Sequence, residues 1–348
     1  MRATVLQAAR EITLEHVPDP TVVVPTDALV RVTASCVCGS DLWPYRGINA
    51  IEKPRRIGHE FVGVVEELGS QVSTLRVGDF VIAPFTYGDN TCPHCQVGMQ
   101  SACERRGAWG APDREGHMVD GGQGEYVRVP LADGTLVATP EHPDAEMVPS
   151  LLALSDVMGT GWHAAVSARV QPRQTVVVVG DGAVGLCGVL AASRMGAERI
   201  IVMSRHEPRQ KVAREFGATD IVAERGEEGV AAILEMTGGV GADAVLECVG
   251  TAESMQTAFD ILRPGATIGY VGVPHDVELP IGTMFGRNLN IAGGVAPARA
   301  YLEQLRDQVL AGEISPGSVF DSTMPLAEVA EGYAAMDERR AIKVMLTT

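Results

Sequence analysis

The sequence predicts an α/β chain in which a parallel, doubly wound sheet follows a β-rich first region. Three observations carry that expectation. The run Thr175–Val179 is β-branched throughout, leads straight into Gly180-Asp181-Gly182-Ala183-Val184-Gly185, and is followed by residues 186–192, which read as helix. From Gln171 onward strand and helix signals alternate, as a parallel sheet requires. Before about Leu151, short β signals are broken instead by Gly, Pro and Asp, the texture of a compact, partly open barrel. At 348 residues the chain exceeds what one hydrophobic core ordinarily supports, so two domains are expected.

In the first region the clearest strands are residues 28–32, 61–65 and 79–83. Beyond residue 151 they are Thr175–Val179, Arg199–Met203, Asp220–Val222, 244–248 and 267–271, with helices beginning near Ala183, Glu207, Gly229 and Ala252. After about Leu289 the alternation stops, and a helix over 298–311 and a closing segment follow. No long linker separates the two textures, so the site is expected in a crevice between the domains.

Composition narrows the function. A 46% hydrophobic and 21% charged content is that of a folded globular protein. The net charge of -16 speaks against nucleic acid or an anionic membrane as partner, since either needs a basic face. No secretory leader pattern or membrane-length apolar run is visible, so the protein is expected in the cytoplasm. Seven cysteines, several at metal-type spacings, point to a reducing compartment and thiolate ligands.

The glycine turn has the strand–turn–helix context that gives G-x-G-x-x-G meaning. Gly180 permits the tight turn, Gly182 a close approach of backbone to a pyrophosphate, and Gly185 close helix packing. Ala183 and Val184 open the helix whose N-terminus receives the phosphates. The next strand ends in Ser204-Arg205-His206, with Arg209 one turn on and no carboxylate in view. A hydroxyl and guanidinium groups suit a 2′-phosphate, so the tip predicts NADP over NAD, although Glu207 lies close by. Cys248, Val249, Gly250, Val271, Gly272 and Val273 end later strands and are expected at the nicotinamide half; for Cys248 a role as a small buried hydrophobe is an equal alternative.

Two groups have metal-binding chemistry. Cys38, His59 and Asp156 offer one thiolate, one imidazole and one carboxylate, the three donors of a catalytic zinc with an open fourth position, but they lie far apart in sequence. Asp89, Cys92, Cys95 and Cys103 follow a D-x2-C-x2-C-x7-C spacing within one loop, the closed kind of structural zinc site. A redox pair at Cys92 and Cys95 is the alternative, and His94 competes with Asp89 as fourth ligand.

These residues resemble the zinc-dependent alcohol dehydrogenases of the medium-chain dehydrogenase/reductase family over essentially the whole chain. Gly58-His59-Glu60 with Gly78-Asp79 is similar to that family's zinc signature, Cys38-Gly39-Ser40-Asp41 to its C-G-[ST]-D motif, and Ser155–Gly161 to the segment supplying the third catalytic ligand. The family's structural lobe has four cysteines, and here Asp89 replaces the first. The resemblance implies a GroES-like β-barrel catalytic domain, residues 1–153 and 291–348, into which a Rossmann domain, residues 154–290, is inserted. It implies zinc polarising a substrate oxygen while hydride passes to or from the nicotinamide. Ser40 begins proton release, and Glu60 is a supporting residue or transient ligand. Thr160 contacts the cofactor, and Trp43 shapes the pocket where some relatives carry a relay histidine. It further implies a small alcohol or carbonyl substrate and a homodimer or tetramer. A metal-free quinone or enone reductase is the alternative within the fold, and a zinc-ribbon interaction module the alternative outside it.

Overall fold

Along the computed structural model, which describes residues 1–49 and 51–348, the strands are β1 (Arg2–Ala8), β2 (Glu11–His16), β3 (Ala28–Cys36), β4 (Arg55–Arg56), β5 (Phe61–Leu68), β6 (Phe80–Ala83), β7 (Tyr126–Val129) and β8 (Val137–Ala138). Then come β9 (Thr175–Val179), β10 (Arg199–Met203), β11 (Asp220–Val222), β12 (Ala242–Glu247), β13 (Leu262–Tyr270) and β14 (Asn290–Gly293), and finally β15 (Ser322–Pro325) and β16 (Val344–Thr347). The chain divides into two units, Met1–Asp156 with Pro297–Thr348, and Val157–Ala296.

The first unit is built on two sheets. One has the order β2-β1-β4; the other has the order β15-β16-β3-β5-β6-β8, with β7 also on β3. Period-two patterning sets the inward face of β3, where Ala28, Val30 and Val32 are buried and Arg31 is exposed. That face joins Phe61, Val65, Val81, Val127 and Trp109 in one core. A second core gathers Leu6, Val37, Leu42, Tyr45, Tyr333, Val344 and Leu346. β16 runs antiparallel to β3 with Met345 opposite Cys36, which brings the C-terminal segment against the residues that follow β3.

The second unit holds a six-stranded, all-parallel sheet in the order β11-β10-β9-β12-β13-β14. β9 lies inside it, and Val176, Val177 and Val178 are fully buried, as the unbroken β-branched run requires. The helices Ala183–Arg194, Glu207–Glu215, Gly226–Met236 and Ala252–Ile261 connect the strands. β12 ends at Glu247, one residue before the expected position, so Cys248 sits past the strand. β14 follows where the sequence suggests the sheet is complete; Asn290 to Gly293 pair in parallel with Thr267 to Tyr270. It is short, polar at its start and only half-buried, and leaves no apolar run to read.

Candidate active site

Cys38 opens a tight 3-10 turn, Gly39–Asp41, immediately after β3, and the N–H of Val37 bonds the carbonyl of Val344, so the C-terminal segment anchors the ligand-bearing turn. His59 and Glu60 directly precede β5, and Asp156 closes the first unit's leading segment beside Ser155, whose carbonyl accepts the N–H of Phe85. One donor atom from each of Cys38, His59, Glu60 and Asp156 lies within 4.8 Å of the others. Asp156 Oδ2 stands 3.6 Å from Cys38 Sγ and 3.4 Å from His59 Nε2. Three segments far apart in sequence thus converge on one point.

The surroundings orient that cluster. His59 Nδ1 faces Asp41 Oδ1 at 3.3 Å, which directs Nε2 toward Cys38 and Asp156. Asp41 Oδ2 accepts the Cys38 N–H at 3.1 Å and the Gln123 side-chain amide at 3.3 Å, and Tyr333 donates its hydroxyl to Gln123 Oε1 at 3.0 Å. Glu60 is held by Lys343, whose ammonium donates to Glu60 Oε1 at 2.7 Å and to the Val37 carbonyl at 3.2 Å; both side chains are fully buried. The other Glu60 oxygen has no hydrogen-bond partner. Ser40, exposed, donates to Cys38 Sγ at 3.3 Å. Burial pushes the Cys38 thiol up to about 11, and the carboxylates of Glu60 and Asp156 add to it. Burial by itself pulls the His59 imidazole down, but Asp41 and Cys38 outweigh it and hold the ring well above its ordinary value. A cation entering this cluster therefore displaces protons.

The second cluster is local. Donor atoms of Asp89, Cys92, Cys95 and Cys103 lie within 4.8 Å of one another, and His94 is outside the group. Asp89 Oδ1 accepts the N–H groups of Thr91 and Cys92 at 2.9 and 3.0 Å. Backbone N–H groups also point at sulfur: Glu104 at Cys92, and Asp89 and Arg105 at Cys103, between 3.3 and 3.4 Å. The Glu104 N–H holds the Cys92 thiol below its usual range, whereas burial raises Cys95. No disulfide joins any of the seven cysteines. Oriented N–H donors around clustered sulfurs suit thiolates on a cation more than a redox pair.

In the second unit Gly180 takes φ +115°, and a Cβ on Gly185 would lie 2.0 Å from the Gly180 carbonyl, so both glycines are required by the backbone. Gly182 is the N-cap of helix Ala183–Arg194 without a side-chain cap, leaving that helix end open to an anion. Ser204, Arg205 and His206 follow β10 as expected, but the tip does carry a carboxylate. Asp181 reaches it from the neighbouring turn, accepting from Ser204 Oγ at 2.8 Å and pairing with Arg209 at 3.1 Å. It escapes sequence reading because an acid is sought on the strand itself, not on the turn of its neighbour. At the ends of β12 and β13, the fully buried Glu247 accepts the N–H groups of Val249 and Gly250 at 2.9 and 2.8 Å and braces that loop. A Cβ on Gly250 would lie 2.1 Å from the Val273 carbonyl, so the two strand-end loops abut; Val271 is half-buried, Gly272 buried and Val273 exposed. Thr160 lies on helix Val157–Ser167 and is half-buried.

Residues 24–141 match the alcohol dehydrogenase GroES-like domain, and residues 183–310 the zinc-binding dehydrogenase family. The chain is 35% identical to zinc-type alcohol dehydrogenase B of Aspergillus flavus, over 99% of this chain and 81% of that protein. It superposes on the alcohol dehydrogenase TADH of Thermus sp. ATN1 with a TM-score of 0.91 and 31% identity, covering 100% of this chain and 99% of that one. The chain belongs to the zinc-dependent medium-chain alcohol dehydrogenases. Formaldehyde dismutase of Pseudomonas putida is also similar, at 29% identity over 99% of this chain and 97% of that protein.

The residues of this dehydrogenase fit the groups its family uses. Cys38, His59 and Asp156 make the mixed S, N and O donor set of a zinc with an open position, and the turn at Gly180–Gly185 has the open helix end a pyrophosphate needs. Gln123, Tyr333 and Lys343 brace the donor cluster without having been visible in the sequence; no motif marks them. Asp41 was visible, as the last residue of Cys38-Gly39-Ser40-Asp41, and its role emerges only with the His59 contact. Among the described residues no helix is long and apolar enough to cross a membrane.

Proposed function

We propose that this dehydrogenase interconverts a small alcohol and its aldehyde or ketone, with NADP(H) as the hydride partner and zinc held by Cys38, His59 and Asp156. The observation that carries the reading is the approach of those three donor types to within 4.8 Å of one another. Bound at these sites, zinc supplies Lewis acidity toward a substrate oxygen and the nicotinamide supplies the hydride acceptor or donor. Asp41 keeps His59 in the tautomer that presents Nε2. Lys343 holds Glu60, so the cluster offers three donors while the fourth, the Glu60 carboxylate, stays in reserve. Ser40, exposed beside Cys38, takes the substrate hydroxyl proton toward solvent. Trp43, half-buried beyond it, borders the substrate.

Asp89, Cys92, Cys95 and Cys103 are assigned to a second, structural zinc, which the ring of N–H donors around their sulfurs supports. The cofactor is assigned to Gly180, Gly182, Ala183, Val184, Gly185, Thr160, Cys248–Gly250 and Val271–Val273, with Ser204, Arg205, His206 and Arg209 receiving a 2′-phosphate. Arg205 supports the NADP assignment: it is exposed and has no partner among the described residues. The catalytic domain is taken as residues 1–153 with 291–348. A homo-oligomer fits β14, which ends its sheet, and seven cysteines that form no disulfide fit a cytoplasmic protein.

The test is metal analysis joined to an assay. Purified protein is expected to hold two zinc ions per chain and to reduce NADP+ with an alcohol, losing activity to a chelator and regaining it with zinc. Carbonyl or quinone reduction undiminished in metal-free protein points instead to the metal-free reductase reading and overturns this one.

A further inference from the structure

Asp181 has no role in the reading above, yet it sits where the cofactor is discriminated. It lies between the glycines of the turn after β9, and its residue is 6% exposed. Oδ2 accepts the Ser204 hydroxyl at 2.8 Å, while Arg209 Nη1 reaches Oδ1 at 3.1 Å and the Asp181 carbonyl at 3.4 Å. Ser204 is fully buried, and its carbonyl accepts the Gln210 side-chain amide at 2.9 Å. The triangle is thus built and pinned from three sides. It stands at the carboxyl end of β10, the strand end that in a doubly wound sheet faces the adenosine ribose.

Two of the donors assigned to a 2′-phosphate are therefore already engaged by a carboxylate. Arg205 and His206 carry no side-chain hydrogen bond or ion pair among the described residues. A 2′-phosphate arriving here meets Arg205 and Arg209 but also the negative charge of Asp181, and it must draw Arg209 out of an ion pair. A 2′-hydroxyl meets an acceptor already in place. We propose that Asp181 is the specificity-determining residue for the cofactor: it accepts the 2′-hydroxyl of NAD(H) and restrains Arg209 from the 2′-phosphate of NADP(H), so the enzyme uses both, with Arg205 tilting the balance to NADP(H). This rests on the nicotinamide reading above.

The test needs no hydride chemistry. The zinc-loaded protein is titrated calorimetrically with 5′-AMP and with adenosine 2′,5′-bisphosphate, and the same is done for Asp181→Asn, which keeps the side-chain shape and removes the charge. The wild-type protein is expected to bind both within about tenfold of each other, and Asp181→Asn to favour the bisphosphate by at least a further tenfold or so. The ratio of kcat/KM for NADP over NAD is expected to move the same way. Asp181→Ser carries the same expectation should the amide variant fold poorly, as its melting temperature reveals. An affinity ratio unmoved by either substitution, or a bisphosphate bound more weakly because Asp181 in fact pre-positions Arg209, overturns this inference alone. Failure of the wild-type protein to bind either fragment or either dinucleotide overturns the cofactor reading and this inference with it.

Discussion

The two side-chain clusters of the first unit use the same kinds of donor atom and are built in opposite ways. Asp89, Cys92, Cys95 and Cys103 come from one loop of fifteen residues, and their partners are N–H groups of that loop and of the residues directly after it. Cys38, His59 and Asp156 come from distant segments, and of their supports Asp41 shares the Cys38 turn while Gln123, Tyr333 and Lys343 arrive from other parts of the chain. A closed local cage can bind a cation tightly but leaves nothing for chemistry. A cluster braced from outside keeps its donors oriented without filling the coordination sphere, because the bracing groups touch the ligands and not the ion.

The contrast can be broken by experiment, and the largest effect is expected at the distributed cluster. His59→Ala should lower kcat by about a thousandfold or more, since a Lewis-acid site loses one of three ligands. Its melting temperature should stay near wild type; a variant that unfolds while Cys95→Ala abolishes turnover exchanges the two roles. Lys343→Met leaves the Glu60 carboxylate buried without a counter-charge, and a loss of about 3–5 kcal/mol in denaturant unfolding is expected. The double variant Lys343→Met with Glu60→Leu should recover most of it, and no recovery means the pair is not what matters. Cys95→Ala should lower the melting temperature by roughly 10 °C through loss of the loop cation, with kcat of the folded fraction nearly unchanged. Tyr333→Phe removes one hydrogen bond to Gln123, so about 1 kcal/mol of stability and a small weakening of zinc retention against a chelator are expected. If Tyr333→Phe exceeds Lys343→Met, the bracing runs mainly through Asp41 and Gln123 rather than through Glu60.

The same contrast explains what the sequence discloses. The loop cluster was legible from spacing alone, because local ligands leave a local pattern. The distributed cluster was legible only through motifs resembling a family, and Gln123, Tyr333 and Lys343 were not legible at all, since contacts spanning 82 to 283 residues leave no periodic trace. In the sheet, β9, β10 and β11 span the residues expected of them, each around a β-branched run, and helices Ala183–Arg194, Glu207–Glu215 and Ala252–Ile261 begin where the turn residues stop. β14 was missed because an edge strand with half-buried residues has no hydrophobic run. Asp181 was in plain view, but where its side chain reaches depends on a glycine backbone at φ +115°, which composition does not reveal.

The ion pair between Glu60 and Lys343 bears on how the enzyme is made. The two residues are 283 positions apart, so Glu60 leaves the ribosome long before its counter-ion is synthesised, and β16, which aligns beside Cys36, arrives later again. During that interval the thiol of Cys38 and the carboxylates around it belong to a nascent chain that cannot yet complete its fold. The loop cluster, complete once Cys103 has emerged, faces no such delay. Maturation is thus expected to be staggered: the loop is able to take up its ion during translation, while the reaction centre becomes competent only when the returning segment docks.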